Sequence, residues 1–86
     1  MIYYWRNKQG NEIDFIISTG KHQQPLTIEC KWSSQKFKPN NLQIFRRQYP
    51  HGKNFVVAAD VQKSFSQKYD HLTVQFVNLN NLIAQL

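Results

Sequence analysis

Four side chains in two short stretches could do chemistry together. Glu12-Ile13-Asp14-Phe15-Ile16-Ile17 and Leu26-Thr27-Ile28-Glu29-Cys30-Lys31-Trp32 are rich in β-branched and aromatic residues, and both read as strands. Residues i and i+2 of a strand share a face. Glu12 and Asp14 therefore fall on one face, with Ile13, Phe15 and Ile17 on the other; Glu29 and Lys31 share a face opposite Ile28, Cys30 and Trp32. If the strands pair, Glu12, Asp14, Glu29 and Lys31 converge. Crowded carboxylates raise one another's pKa, and a divalent cation relieves the repulsion. Mg²⁺ takes hard oxygen ligands, usually one or two carboxylates plus waters and substrate phosphates. A lysine beside it can sit near the bound water or offset charge growing on a phosphorane, and metal-assisted phosphodiester hydrolysis uses these parts. The same residues would equally serve a half-exposed sheet in which Asp14 or Glu29 pairs with a lysine across strands.

The flanking elements must position this set. Ile2 to Trp5 is an apolar run, and Asn7-Lys8-Gln9-Gly10-Asn11 has turn composition, so the first two strands form a hairpin. Ser18 to Pro25 is a polar connection broken by Gly20 and Pro25. Ser33 to Asn40 is basic and irregular, and Lys38-Pro39-Asn40 enters a helix over Asn41 to Tyr49 with Leu42, Phe45 and Tyr49 on one stripe. Pro50 and Gly52 end it. Asn54 to Ala59 is continuously apolar, as in a buried and parallel strand. Asp60 to His71 is polar and carries no clear element. Leu72 to Val77 is a strand, and Leu79 to Leu86 a closing helix behind an Asn78 cap. The expected order is β-β-β-α-β-β-α, a mixed α/β fold with a small central mixed sheet flanked by helices, and a right-handed crossover at its middle.

Asp14 followed fifteen positions later by Glu29-Cys30-Lys31 resembles the D…(D/E)xK signature of the PD-(D/E)xK nuclease superfamily. Tyr4-Trp5-Arg6, Gly10-Asn11-Glu12-Ile13-Asp14-Phe15-Ile16 and Ile28-Glu29-Cys30-Lys31-Trp32-Ser33, with Phe45…Tyr49-Pro50, resemble one subgroup. This is the domain of unknown function that follows the ATPase module in many prokaryotic AAA+ proteins. The likeness runs from Tyr3 to Ala59 and more faintly to the end. It implies a restriction-endonuclease-like core, Asp14 and Glu29 as metal ligands with Glu12 as a further ligand, and Lys31 as the catalytic lysine. It implies Mg²⁺ for activity, none being required for folding, and a covalently attached ATPase module. Such cores usually open with a helix ahead of the hairpin. That helix is missing, and no phosphate-cradling GxxxxGK[ST] run occurs. The chain is therefore expected to be a single nuclease-like C-terminal piece spanning residues 1–86, inactive by itself. Two functions follow: Mg²⁺-dependent hydrolysis of DNA phosphodiesters, or a catalytically inactive module that binds nucleic acid or protein for the ATPase.

Bulk properties bound these readings. Eleven Lys and Arg against five Asp and Glu give a net charge of +6 and a pI near 9.7, which favours polyanions through counterion release. Lys36, Lys38, Arg46, Arg47 and Lys53 gather around the central helix, and the first four are candidate nucleic-acid contacts; a solvated helix face would look the same. The one cysteine, Cys30, cannot form an internal disulfide, which points to a reducing, cytoplasmic home. It alternates inward with Ile28 and is expected to be a buried small hydrophobe; Trp32, on the same side, is expected in the core along with Trp5. His22 and His51 lack partners at metal-ligand spacing and are expected at the surface. No run approaches the ~18–20 apolar residues of a membrane span. An apolar surface left by the missing helix would make a homodimer the expected oligomer.

Overall fold

The computed structural model describes residues 1–18 and 24–85. Gly20, His22 and Leu86, named above, lie outside the described residues. Strands β1 (Ile2–Arg6), β2 (Glu12–Ile17) and β3 (Leu26–Lys31) are followed by one turn of 3-10 helix (Ser34–Lys36) and helix α1 (Asn40–Gln48). Then come β4 (Asn54–Ala58), β5 (Phe65–Tyr69), β6 (Leu72–Val77) and helix α2 (Leu79–Gln85). The six strands form one mixed sheet in the order β1-β2-β3-β4-β6-β5. β3, β4 and β6 run parallel at its centre, and antiparallel hairpins form both margins.

The expected order lacked one strand. β5 occupies part of the stretch read as polar and featureless, because it is an exposed edge strand with little apolar content. It returns to β6 through the two-residue turn Asp70-His71, with Tyr69 opposite Leu72. Asp70 takes a positive φ of 57° there, a conformation that tight hairpins demand and aspartate tolerates. At the other margin the Asn7 side chain organises the β1–β2 turn. Its Oδ1 accepts the amides of Gln9 (3.1 Å) and Asn11 (2.9 Å).

Both faces of the sheet are covered. On the α1 face, Ile13, Ile16, Val56, Ala58, Val74 and Phe76 pack with Leu42 and Phe45 of the helix. Trp5 joins them edge-on against Phe45, with ring centroids 5.3 Å apart. On the α2 face a smaller cluster holds Ile28, Phe55, Val77 and Leu82. Simple alternation along β2 fails. Tyr3 pairs with Ile16 but Trp5 pairs with Ile13, so a β-bulge gives β2 one extra residue, at Asp14-Phe15, opposite Tyr4. The bulge returns Ile13 and Ile16, three positions apart, to the same α1 face, whereas Phe15 and Ile17 pair with Ile28 and Leu26 toward α2.

Two core assignments are corrected. Trp32 follows the last residue of β3 and is 89% exposed. Cys30 is exposed as well. The α2 face, to which β3 alternation directs them, is covered by a helix that packs on β4 and β6 and not on the β3 end. Among the described residues no helix is long and apolar enough to cross a membrane.

Candidate functional site

The site begins with the register of β3 on β4. Thr27, Glu29 and Lys31 lie opposite Asn54, Val56 and Ala58, and Val56 and Ala58 belong to the α1-face core. Glu29 therefore points into a covered face and is only 6% exposed. Among the described residues nothing donates a hydrogen bond to its carboxylate. Burial pushes its carboxyl up to about 7; Asp14 adds to the shift and the Lys31 ammonium opposes it.

Asp14 reaches this place from the bulge. The paired residues of β2 and β3 run from Ile17–Leu26 to Phe15–Ile28. Beyond them the Cys30 amide donates to Asp14 Oδ2 at 2.9 Å, so a side-chain carboxylate stands where a strand carbonyl would continue the ladder. That bond sets the Asp14 charge against the backbone between Glu29 and Lys31. Two carboxylates and a lysine thus meet at the carboxyl end of β3, where a bulge commonly re-aims side chains. Burial first, then the charges of Asp14 and Glu29, raise the Cys30 thiol pKa, which keeps it protonated and a poor nucleophile.

Glu12 does not join them. It pairs with Arg6 in the strand register and forms an ion pair with it, Arg6 Nε to Glu12 Oε1, 3.6 Å. Its carboxylate is also the main cause of the raised phenol pKa of Tyr4. It neighbours Ile13, which faces α1, so strand alternation turns it to the opposite face from Glu29. Among the described residues no group of three or more His, Cys, Asp or Glu side chains is placed to hold a metal ion. A Mg²⁺ site here would rest on Asp14 and Glu29 alone, which suits an ion that keeps several waters.

The family model of a domain of unknown function (DUF4143) matches residues 1–82. The chain belongs to this DUF4143 family. Domains of this family are commonly found with AAA ATPases. No curated protein and no solved structure matches the chain.

The basic residues of this DUF4143 domain divide into two kinds. Lys36, Lys38 and Arg47 are exposed. Arg46, expected beside them, is buried at 5% exposure. Its Nε donates to Asn54 Oδ1 (2.8 Å), and its terminal nitrogens donate to the carbonyls of Tyr49 (3.1 Å), His51 (2.6 Å), Pro25 (2.7 Å) and Lys53 (3.1 Å). The guanidinium thereby fixes the end of α1 and the loop into β4 to the start of β3. Burial lowers its pKa to about 10, so it remains cationic at neutral pH. Asn54 completes the network by accepting from Thr27 Oγ1 at 3.0 Å. No spacing rule marks an arginine in such a role; the signal in the sequence was Gly52, whose φ of 130° lets the loop close on Pro25. His51 lies at the surface and contributes only its carbonyl.

Sequence reasoning also missed Asp60. It follows β4 and accepts the Ser34 amide (2.9 Å) and the Ser33 hydroxyl (3.1 Å). Those bonds hold its carboxyl below the usual carboxylate range. They pin the turn that leaves β3 just after Lys31 against the end of β4, and so anchor the far side of the site.

Proposed function

We propose that this domain has a PD-(D/E)xK nuclease-like core serving an attached ATPase, and that Asp14, Glu29 and Lys31 hydrolyse nucleic-acid phosphodiesters with one Mg²⁺. The observation that carries this is the Glu29 carboxylate. It is buried, has no donor among the described residues, and stands beside a second carboxylate and an ammonium. A largely buried carboxylate with a sliver of solvent and no protein donor is destabilised until a proton or a cation neutralises it. Asp14 and Glu29 would hold the ion, which when bound supplies Lewis acidity and a more acidic water. Asp14 is kept in place by the Cys30 amide. Lys31, on the face of Glu29, would bind a phosphate oxygen and offset charge growing there. Lys36, Lys38 and Arg47 would contact flanking phosphates, which positions a substrate without reading its sequence.

A second reading is a module that binds nucleic acid or protein without cutting. The placement of Glu12 favours it, since this acid is paired with Arg6 on the opposite face and leaves two carboxylates for the ion. Conversion of supercoiled plasmid to nicked circles in Mg²⁺ or Mn²⁺ separates the two. Hydrolysis predicts nicking that falls at least ~100-fold in Lys31→Ala while the protein still binds DNA, the scale of a lost charge-stabilising donor. Plasmid left intact by the wild type, alone and joined to its ATPase, would leave the binding module.

A further inference from the structure

A second groove opens on the α1 face at the outer margin of the sheet, between the 3-10 turn and the β5–β6 hairpin. It measures about 410 Å³, within the range of ligand-binding clefts. Its floor is aromatic. The Phe65 ring lies flat on Phe76, with centroids 4.8 Å apart and planes 5° from parallel. Phe76 is buried, yet Phe65 is 45% exposed, so the outer side of its ring is open. Phe37 and Tyr69 meet edge-on nearby, centroids 5.5 Å apart. The rim is polar and carries Ser34, Gln35 and Gln67. The Tyr69 hydroxyl donates to Gln67 Oε1 at 3.3 Å, which leaves the Gln67 amide hydrogens free to donate.

The charges around the groove have one predominant sign. Lys36 and Lys38 are exposed and alternate in sequence with the lining residues Gln35 and Phe37. Among the described residues, the Asp60 carboxylate is occupied by the hydroxyls and amide of the Ser33–Ser34 turn, and Asp70, which follows the lining residue Tyr69, accepts from Gln43 Nε2 at 3.2 Å. A flat open aromatic face, amides on the rim and lysines alongside are the parts with which proteins hold unpaired bases. An apolar peptide side chain would need neither the amides nor the cations. The groove also shares its sheet face with Glu29 and Lys31. From β3 through β4 and β6 to β5 are three strand spacings, about 14 Å.

We infer that this groove is a binding site for single-stranded nucleic acid, in which an unpaired base stacks on the exposed face of Phe65 and hydrogen-bonds Gln35 or Gln67, while Lys36 and Lys38 take the adjoining phosphates. The inference rests on the nucleic-acid part of the reading above and deepens it. A strand held here and passing over the Ser34–Lys36 turn, which covers the end of β4, would arrive at Lys31 already unpaired.

The test is fluorescence anisotropy with a labelled 20-nucleotide oligothymidylate, in EDTA so that no cation site contributes. Phe65→Leu keeps an apolar contact on Phe76 but removes the π-face, and its affinity should fall at least ~5-fold, the low end of one lost stack. Lys36→Gln with Lys38→Gln should flatten the slope of log K against log salt by about 1.4, two phosphates' worth for a single strand. Gln9→Ala, an exposed change in the β1–β2 turn at the opposite margin of the sheet, should bind as the wild type does. Unchanged affinity in Phe65→Leu would overturn the groove, as would an equal loss on a blunt duplex. Should Phe65→Leu melt below the assay temperature, the exposed double change Gln35→Ala with Gln67→Ala decides: a loss of ~3-fold or more supports the groove, and wild-type affinity overturns it. Because plasmid nicking and cation binding are read separately, failure here leaves the hydrolytic reading standing, and failure there leaves the groove.

Discussion

The Cys30 amide donates to Asp14 Oδ2 across 2.9 Å, and this bond joins the bulge of β2 to the carboxyl end of β3. The carboxylate satisfies a strand amide and, in the same position, lends its charge to the Glu29–Lys31 face. The two roles separate by mutation. Asp14→Ala leaves an exposed amide to pair with water and should destabilise the domain by about 0.5–1.5 kcal/mol, whereas Asp14→Asn retains an acceptor and should cost less than half as much. Chemical denaturation at pH 7 checks the ranking. Equal losses in the two variants would mean that the charge, and not the hydrogen bond, holds the seam.

Glu29 should make stability fall with rising pH. Its carboxyl is raised to about 7 in the folded protein, while the unfolded chain has an ordinary value of about 4.3. Between those values the folded state binds more protons than the unfolded state, so unfolding becomes easier as pH rises through the window. In Glu29→Gln this dependence disappears. The variant should match the wild type near pH 4 and exceed it above pH 7 by up to about 3 kcal/mol, from the size of the shift. Urea melts of both proteins at pH 4, 5.5 and 7.5 give the difference directly.

Arg46 and Gly52 should be among the least replaceable residues. Arg46→Ala removes the guanidinium donors to the Tyr49, His51 and Pro25 carbonyls and one of two donors each to the Lys53 carbonyl and Asn54 Oδ1, and should cost roughly 3–5 kcal/mol, as for a broken buried charged network. Arg46→Lys should recover little, since an ammonium cannot reproduce the fork. At Gly52 an added Cβ would lie 2.2 Å from the Pro25 carbonyl oxygen, on a backbone at φ 130°. Gly52→Ala should therefore cost more than about 2 kcal/mol. Melting curves of the three variants test this, and a wild-type curve for Gly52→Ala would refute the close approach.

Much of this was legible in the sequence, and what was not has local causes. β1 to β4, β6 and both helices follow from apolar runs and breakers; all but β1, which is exposed apart from Trp5, bury a face. β5 was invisible because an edge strand with Ser66, Gln67 and Lys68 at its centre buries little. Alternation set Glu29 and Lys31 on one face and named Asp14 as their neighbour, but it also placed Glu12 with them, and the bulge that brings Asp14 to β3 was not readable. It arises from the offset between Tyr3–Ile16 and Trp5–Ile13, a matter of pairing and not of composition. That offset sent Phe15 away from Ile13. Trp32 and Cys30 were misplaced because alternation gives a face but not what covers it, and α2 stops short of them.

The position of Glu12 gives a sharp control. It pairs with Arg6 on the face away from Glu29. Glu12→Gln should leave divalent-cation affinity within about twofold of wild type, less than a kcal/mol, while Arg6 loses its ion pair. A tenfold loss of cation binding would return Glu12 to the site.

The most direct test is calorimetric titration of Mn²⁺ and Mg²⁺ at pH 8, above the Glu29 pKa, into the wild type and the Glu29→Gln and Asp14→Asn variants. The expected result is one cation per chain in the wild type, weakened at least ~10-fold by either substitution. A wild type that binds no cation, or binds it equally well in both variants, would contradict the proposed site.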